Sequence, residues 1–513
     1  MTAPLKKTHV TLLRGPIVST RRSINNEATP AMGLACLGGA VAREGYPFQW
    51  VDGIGEGINH FWFPPGYPHH VCQGLTFDEI LGRIPLHTRV IAFSAMFSGE
   101  WPISRDLLLR LRAAFGKALI VAGGEHVTAM TEYTLRDCAA LDLCVRGEGE
   151  GPLLDLLADV EAGGDGRRVA GCAYVDAEGN YRENGPVRRI QDLNQLPRPW
   201  WPEGYLNRFW EAGKAFGVLT QRDMPMMISR GCPFQCTFCS SPRMWTTRYG
   251  LRDVAEVLRE TREYIEKYNI TAVQLYDLTA IVKKRWIVEF CQGLIREGIN
   301  IKWSLPSGTR SEALDEESLG LLKQVGCNYL VYAPESGSAE TLERIKKRLD
   351  LQRLTRSVQT AVRLGINVRV NLMIGLPGET RFQVFRTLVY GMKLAWMGAA
   401  EVSLQLFSPY PGSELFDRLL EQGRLQVGDD YFLSITSIFS DYLTPPQFRT
   451  NETMGPVELS AYRLFFLLSY YVIGYLRYPG RIVRTFRNIQ TGQQMATVFE
   501  HRLADMINRW RKR

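Results

Sequence analysis

The sequence predicts an α/β protein in which a doubly wound parallel sheet precedes a partial (β/α)6 barrel and a helical C-terminal region. Short apolar runs alternate with helical patterns over the first 165 residues, and the same alternation resumes at about residue 226. After residue 426 the pattern becomes helical and aromatic. Alternating strands and helices of this length are typical of parallel sheets covered by helices on both faces.

The N-terminal sheet is predicted from five short apolar runs, with helices over Met32–Arg43, Trp101–Phe115 and Gly151–Ala162. In open sheets of this kind, ligands bind at the carboxyl ends of the strands, near the point where the strand order reverses. Loops that follow these strands are therefore candidate binding loops. The five predicted strands are His9–Arg14, Phe48–Asp52, Val90–Met96, Ala118–Gly124 and Leu141–Gly147.

A boundary is expected between the two strand–helix regions. Residues 174–189 resemble a small hairpin, and the proline-rich stretch DLNQLPRPWWP follows it. Six further strand–helix units then fit a partial barrel better than a complete eight-fold one. The predicted strands are 226–229, 272–277, 301–308, 329–335, 368–375 and 401–408, and the predicted domains are 1–165, 166–225, 226–425 and 426–513.

Composition limits the classes of protein to consider. Hydrophobic residues make up 45% of the 513 residues and charged residues 22%, values that are ordinary for a globular protein. The N-terminus has no apolar signal-peptide core, and the longest late apolar run, Phe465–Leu476, falls short of the roughly 20 residues of a membrane span. We therefore expect a cytoplasmic location and reduced cysteines. The net charge of +8 permits anionic small molecules, nucleic acid or a membrane surface and selects none of them.

Three of the ten cysteines form a tight cluster in the stretch SRGCPFQCTFCSSPRMW, directly after the first predicted barrel strand. Cys232, Cys236 and Cys239 are spaced Cys-x3-Cys-x2-Cys. Three thiolates can hold three irons of a 4Fe–4S cluster and leave the fourth iron open to another ligand. A zinc site would need a fourth ligand, and the nearest histidine in the sequence is His126. Inert structural thiols would not need a loop shaped by glycine and proline.

The cysteine motif and the residues at later strand ends resemble the radical S-adenosylmethionine (SAM) superfamily. The resemblance implies that the amino and carboxylate groups of SAM chelate the open iron and that Phe238 lies near the adenine. One departure is Tyr276-Asp277-Leu278, because cobalamin-containing members often carry two acids there. The implied SAM-binding residues are Phe238, Tyr276, Arg310, Glu335, Ser336, Gly375 and Leu376.

The first domain, placed before such a barrel, resembles the Rossmann-like cobalamin domain of the cobalamin-binding radical SAM class. The sequences GGEHVT (123–128) and RGEGE (146–150) follow two of its predicted strands. A domain that binds nothing, or another nucleotide, is the alternative. Residues 15–31 contain no histidine, so we expect no histidine as the lower ligand of cobalt. The implied cobalamin-binding residues are Ser94, Gly123, Gly124, His126, Thr128, Gly147, Glu148 and Gly149.

The resemblance implies an enzyme that forms a 5′-deoxyadenosyl radical and removes a hydrogen atom from an unactivated carbon. Methylation of that carbon is the first hypothesis. The alternatives are oxidative cyclisation or ring rearrangement, as in the anaerobic magnesium-protoporphyrin ester cyclase, and a non-enzymatic cobalamin or cluster sensor. The resemblance implies two partners. One is a small-molecule substrate, for which a large apolar or lipid-like compound is one option, and the other is an external electron donor such as flavodoxin or ferredoxin. No nucleic acid partner is expected.

The C-terminal region carries aromatic residues between 462 and 475 and nine basic residues between 474 and 513. We interpret the aromatic residues as core packing against the barrel mouth, with a lid over an apolar substrate as the alternative. We interpret the basic tail as a solvated cationic surface, with peripheral contact with an anionic membrane as the alternative.

Overall fold

The computed structural model describes residues 8–23, 28–186, 189–216, 220–309, 313–440 and 449–491. The N-terminal part alternates strands and helices as the sequence predicts. Its elements are β1 (Val10–Arg14), β2 (Ile17–Thr20), α1 (Met32–Arg43), β3 (Phe48–Asp52), β4 (Phe61–Trp62), β5 (His70–Gln73), α2 (Phe77–Leu81), β6 (Val90–Ser94), α3 (Trp101–Ala114), β7 (Leu119–Gly123), α4 (Glu125–Ala129), α5 (Thr131–Asp137), β8 (Leu143–Val145), α6 (Glu150–Glu161), β9 (Cys172–Val175) and β10 (Tyr181–Glu183).

The first sheet is doubly wound, with the strand order β10-β9-β8-β7-β6-β1-β3. Strands β3, β1, β6, β7 and β8 are parallel, and the predicted hairpin β9–β10 adds an antiparallel edge. Arg14 aligns with Asp52 on one side and with Ser94 on the other, so the carboxyl ends of these strands meet at one edge. The order reverses between β1 and β6, which is where such sheets bind ligands.

A small antiparallel sheet, β2-β5-β4, was not predicted from the sequence. Ile17 pairs with Gln73, and Phe61 pairs with Gln73 from the other side. The strands are only two to four residues long, and β4 and β5 are separated by a segment rich in proline. They are therefore too short to show a two-residue periodicity in the sequence. His70 is the first residue of β5, and His69 directly precedes it.

The second part is a six-stranded parallel sheet in the order β11-β14-β15-β16-β17-β18, which confirms the predicted partial barrel. It follows a connecting helix, α7, and its helices lie between consecutive strands. The elements are α7 (Tyr205–Glu211), β11 (Asp223–Met226), β12 (Ser229–Arg230), α8 (Ser241–Trp245), β13 (Gly250–Leu251), α9 (Val254–Tyr268), β14 (Ala272–Leu275), α10 (Lys284–Arg296), β15 (Lys302–Thr309), α11 (Glu316–Gln324), β16 (Cys327–Glu335), α12 (Ala339–Arg344), α13 (Leu351–Arg363), β17 (Asn367–Ile374), α14 (Arg381–Met397), β18 (Glu401–Leu406) and α15 (Glu414–Glu421).

The first barrel strand differs from the prediction of 226–229, because β11 covers Asp223–Met226. The backbone N–H groups of Ile228 and Ser229 donate to the buried carboxylate of Asp277 instead of extending the ladder. Ser229 and Arg230 then form the separate strand β12, which pairs with β13. The strand therefore ends earlier than its apolar pattern indicates. The predicted domain boundaries as a whole stay a prediction.

The C-terminal helices are α16 (Asp429–Ser440), α17 (Pro456–Arg477) and α18 (Gly480–Thr491). Helix α16 crosses to the N-terminal domain. Arg105 of α3 donates two hydrogen bonds to Asp429, at 2.9 and 2.6 Å, and Phe432 is buried against the ring of Tyr133. One apolar core therefore joins α3, β6 and α16 to residues that follow the barrel strands, including Phe407.

Helix α17 packs on α14 and β18 along the outside of the barrel. Among the described residues it is the single helix that is long and apolar enough to cross a membrane by length and composition alone. The sequence prediction counted only the run Phe465–Leu476, whereas the helix begins nine residues earlier at Pro456. Phe466 and Tyr470 on its inner side are buried, and the hydroxyl of Tyr470 donates to the carbonyl of Ala399.

Candidate functional site

The three clustered cysteines lie in the loop between β12 and α8, at the carboxyl end of the barrel. Gly231 opens the loop with a φ of +85°, and a Cβ there would lie 2.1 Å from the carbonyl oxygen of Arg248. Only glycine fits such a position. The backbone N–H of Cys239 donates to the carbonyl of Cys236, and Thr237 is held between Ile345 and Leu415 by backbone hydrogen bonds of 3.1 and 2.8 Å. The loop is therefore a fixed platform whose three thiols are partly exposed.

The residues of this loop fit a 4Fe–4S cluster with an open iron. Among the described residues, no three His, Cys, Asp or Glu side chains are gathered tightly enough to hold one metal ion, so a mononuclear zinc site is not favoured. A cluster places its cysteine ligands on three different irons and needs no such convergence. The buried hydroxyls of Thr237 and Ser241, on either side of Cys239, have no hydrogen-bond partner within the part of the chain that the structure describes. Buried polar atoms without a partner are costly, and a bound polar ligand would satisfy them.

Phe238, Glu335 and a lysine that the sequence analysis did not single out lie together beside this loop. Glu335 ends β16 with a φ of +71°, a conformation that non-glycine residues rarely adopt. Its carboxylate accepts a 2.9 Å hydrogen bond from Lys347 Nζ, which also lies 5.7 Å from the ring centroid of Phe238. Both charged side chains are close to nine-tenths buried. No local pattern distinguishes Lys347 from its basic neighbours, because the contact depends on the turn after α12.

Three further predicted SAM contacts, Ser336, Gly375 and Leu376, form hydrogen bonds within the protein. Ser336 is buried and shares a 2.8 Å hydrogen bond with Thr387, so its hydroxyl shapes the turn after β16. The N–H groups of Gly375 and Leu376 donate to Glu379 at 2.7 and 3.3 Å. Burial raises the pKa of Glu379 to about 7, although these two N–H groups act in the opposite direction. These residues give the loop after β17 its shape, and their contacts with SAM remain predicted.

In the loop after β14, Asp277 has a structural role, and Tyr276 is a predicted SAM contact. Asp277 is fully buried and accepts hydrogen bonds from Ser229 and Ile228, which ties β14 to the strand before the cysteines. Burial raises its pKa to about 6. Tyr276 is half-buried, and its ring lies 5.2 Å from that of Phe216. Arg310, the remaining predicted SAM contact, lies outside the described residues.

Most of the predicted cobalamin residues share the carboxyl edge of the first sheet. Gly124 has a φ of +119°, and a Cβ there would lie 2.6 Å from the carbonyl oxygen of Ala95. Thr128 bridges two loops, because its hydroxyl donates to Gly124 and accepts a 2.9 Å bond from the N–H of Gly147. These contacts hold the loops of this edge close together and leave their backbone accessible to a ligand, as binding of a large nucleotide-bearing cofactor requires. The residues at this edge are Ser94, Gly123, Gly124, Thr128, Gly147 and Gly149.

Two predicted cobalamin residues turn into the protein. Burial lowers the pKa of His126 to about 3, and both ring nitrogens are engaged, with Ser98 at 3.0 Å and Thr134 at 3.3 Å. The His126 ring also stacks on Trp101, at 4.8 Å between centroids. Glu148 is buried and paired with Arg230 at 3.0 Å. Direct contacts of His126 and Glu148 with cobalamin stay a prediction, which these buried and paired positions do not support.

The cysteine loop and the edge of the first sheet meet directly. The hydroxyl of Ser240 donates to Glu125 at the start of α4, and burial raises the pKa of that carboxylate. The backbone N–H of Ser98 donates to the hydroxyl of Tyr410, which follows β18, at 3.2 Å. The structure therefore places the two candidate cofactor sites side by side, which the sequence order alone does not require.

Comparison with known proteins agrees with this architecture. Residues 226–388 match the profile described as the Radical SAM superfamily, and residues 29–157 match the B12 binding domain. An uncharacterized methyltransferase of Pyrococcus horikoshii is 27% identical over 80% of this chain and 83% of its own length. The anaerobic magnesium-protoporphyrin IX monomethyl ester cyclase of Rubrivivax gelatinosus is 27% identical over 86% of this chain and 77% of its own.

A solved structure shares the fold. The radical SAM methyltransferase TsrM from Kitasatospora setae, with cobalamin and a [4Fe-4S] cluster bound, superposes with a TM-score of 0.64 at 15% identity, over 91% of this chain and 89% of that one. The two matched profiles together span more than half of the 513 residues, and they confirm the predicted cofactors: a 4Fe–4S cluster, SAM and cobalamin. The chain belongs to the cobalamin-binding radical SAM enzymes.

Proposed function

We propose that this enzyme is a C-methyltransferase that replaces a hydrogen atom on an unactivated substrate carbon with a methyl group. The observation that carries the proposal is the direct contact between the cysteine loop and the carboxyl edge of the first sheet, through Ser240 and Glu125. A methyl donor must reach the substrate carbon from which hydrogen has been removed, so the two cofactor sites must face one substrate. The methyltransferase relative of P. horikoshii supports the same assignment.

The reaction balances with two molecules of SAM. The hydrogen atom leaves the substrate carbon in 5′-deoxyadenosine, the methyl group takes its place, and the other products are methionine and S-adenosylhomocysteine. An external donor supplies two electrons, one for each SAM. When bound, the cofactors supply the one-electron cleavage of SAM and the transferable methyl group.

The protein's own residues position the cofactors. Cys232, Cys236 and Cys239 hold the cluster on a loop that Gly231 and the Thr237 backbone bonds keep fixed. The N–H of Phe216 donates to Gln274, and the Phe216 ring lies 5.2 Å from that of Tyr276, which fixes the position of Tyr276 after β14.

Deuterium labelling tests the proposal. The reconstituted enzyme is incubated anaerobically with methyl-deuterated SAM, a chemical reductant and an extract of the native cells, and products are followed by mass spectrometry. We expect one metabolite to gain an intact trideuteromethyl group while 5′-deoxyadenosine accumulates. A changed metabolite without label would instead support cyclisation or rearrangement, as in the cyclase relative. No cleavage of SAM under any condition would overturn an enzymatic role.

Replacing Lys347 by methionine is expected to weaken SAM binding. Glu335 is proposed to contact SAM, and Lys347 holds its carboxylate in a buried ion pair of 2.9 Å. Without the lysine, the carboxylate loses a charged hydrogen bond, which corresponds to about tenfold or more in Kd. Equilibrium dialysis of SAM against the reconstituted protein measures the change. Lys346→Met is the matched control, because Lys346 pairs with Glu414 at the surface; an equal loss in both variants would contradict a positioning role for Lys347.

A further inference from the structure

Helices α14, α17 and α18 present a contiguous set of exposed apolar side chains on the outside of the barrel. Phe465 is 57% exposed, Trp396 59% and Phe486 65%. Soluble proteins rarely expose large apolar patches, and those that do usually mark a binding surface. We call this surface the three-helix face. It consists of Phe382, Phe385, Val389, Trp396, Val457, Leu464, Phe465, Leu468, Val472, Leu476, Ile482, Val483 and Phe486.

The exposure of the face is compatible with well-packed helices, because α14 and α17 each bury another side. Leu388 and Leu394 of α14 are buried, and so are Leu459 and Phe466 of α17. A Cβ on Gly391 would lie 2.4 Å from the ring of Phe466, so the two helices approach as closely as a glycine allows. The outward apolar residues are therefore surplus to the core. A function for them must lie outside the described fold.

Charge separates the face from an ordinary apolar patch. Helices α14 and α18 contain no acidic residue, and α17 contains only Glu458, which is paired with Arg381. Arg477 lies 5.3 Å from the ring centroid of Trp396, so a cation and an indole stand side by side at one end. The basic residues of the three helices that are exposed or partly exposed are Arg381, Arg386, Lys393, Arg477, Arg481, Arg484 and Arg487. Aromatic and aliphatic side chains among arginines are typical of surfaces that lie in the headgroup region of anionic membranes.

We propose that the three-helix face binds the surface of an anionic phospholipid bilayer, with the helices lying in the membrane plane. Helix α17 has 22 residues and is about 33 Å long, so its contact can extend along the barrel. A membrane-spanning position of α17 is disfavoured, because Arg463 is buried on the side of this helix that packs into the protein. A second copy of the chain would bring like charges together in a symmetric contact, which disfavours self-association. This inference does not depend on the proposed methyl transfer.

Sedimentation with vesicles tests the inference on the full chain. We expect the protein to pellet with vesicles of phosphatidylcholine and phosphatidylglycerol, and far less with phosphatidylcholine alone. Phe465→Ser with Leu468→Ser should lower the partition coefficient about tenfold or more, because two apolar side chains no longer enter the interface. Arg477→Gln with Arg487→Gln should lower it on anionic vesicles by about fivefold for each charge. Added salt should weaken the binding of the unchanged protein.

Matched controls separate membrane binding from general stickiness. Phe63→Ser with Leu86→Ser removes two similarly exposed apolar residues from the N-terminal domain, and pelleting should not change. Equal pelleting of the Phe465/Leu468 variant and the unchanged protein would overturn the proposal. So would a failure to bind anionic vesicles, whether because the chain dimerises through this face, seen by analytical ultracentrifugation, or because residues 492–513 cover it. Circular dichroism of each variant checks that it is folded.

Discussion

Replacing Cys236 by alanine is expected to abolish both cluster binding and SAM cleavage. Cys232, Cys236 and Cys239, which lie within eight residues, are the proposed ligands of three irons, and the fourth iron would be left for SAM. Two thiolates leave two irons without a protein ligand, so the cluster is neither retained nor presented with one open corner. Iron and sulfide per chain after anaerobic reconstitution measure the first loss. Formation of 5′-deoxyadenosine measures the second, and no product above the background without enzyme is expected.

Cys291→Ala is the matched control for this experiment. Cys291 lies on α10, is buried at 1% exposure, and its thiol pKa is raised to about 12 by burial. A small apolar thiol of this kind contributes packing and no ligand. The control variant should therefore bind iron as the unchanged protein does. Full iron content in Cys236→Ala, or equal loss in Cys291→Ala, would refute the assignment of the ligands.

Elements whose pattern is local were predicted from the sequence. Strand β3 was expected at Phe48–Asp52 and is found there, and α1 was expected at Met32–Arg43 and is found there. The cysteine loop was also readable, since its spacing and its glycine are local features. These elements depend on neighbours along the chain, so periodicity and turn chemistry are sufficient to place them.

Elements whose place depends on distant partners were not predictable. Nothing in the sequence of α16 indicates that Asp429 pairs with Arg105 across the domains. The sequence around His126 suits a ligand-binding loop, yet the ring packs between Trp101 and Phe432, which lie far away in the chain. Histidine in a glycine-containing turn has the same local signature in both roles. The tertiary environment decides whether the ring nitrogens of such a histidine are available to a ligand or, as in His126, bonded within the protein.

The buried arginine before the cysteine loop should matter more to stability than any surface charge. Arg230 pairs with Glu148 at 3.0 Å and with Glu150, and all three side chains are at least nine-tenths buried. Burial by itself would raise the pKa of Glu150, but Arg230 outweighs it and holds that pKa below its usual value. Glu148 and Glu150 belong to the loop and helix after β8, and Arg230 stands two residues before Cys232. This ion-pair cluster therefore joins the N-terminal domain to the cysteine loop.

Arg230→Met is expected to lower the free energy of unfolding by about 3–5 kcal/mol, because it leaves the carboxylate of Glu150 buried without its partner, whereas Glu148 keeps its ion pair with Arg189. The pKa of Glu150 should then rise above that of the unfolded chain, so the variant is destabilised most at neutral pH and less as the pH falls towards 5. Urea unfolding of the two proteins at several pH values measures this difference.

The second substitution Glu150→Gln, made in the Arg230→Met protein, removes the unpaired charge and should recover part of the loss. Arg182→Met, which breaks an exposed ion pair with Asp176, should leave the unfolding midpoint almost unchanged. A cost for Arg230→Met that is independent of pH, or no recovery in the double variant, would mean that packing rather than charge holds this junction. Because the junction sets the position of the cysteine loop against the cobalamin edge, its loss should also slow any reaction that needs both cofactors.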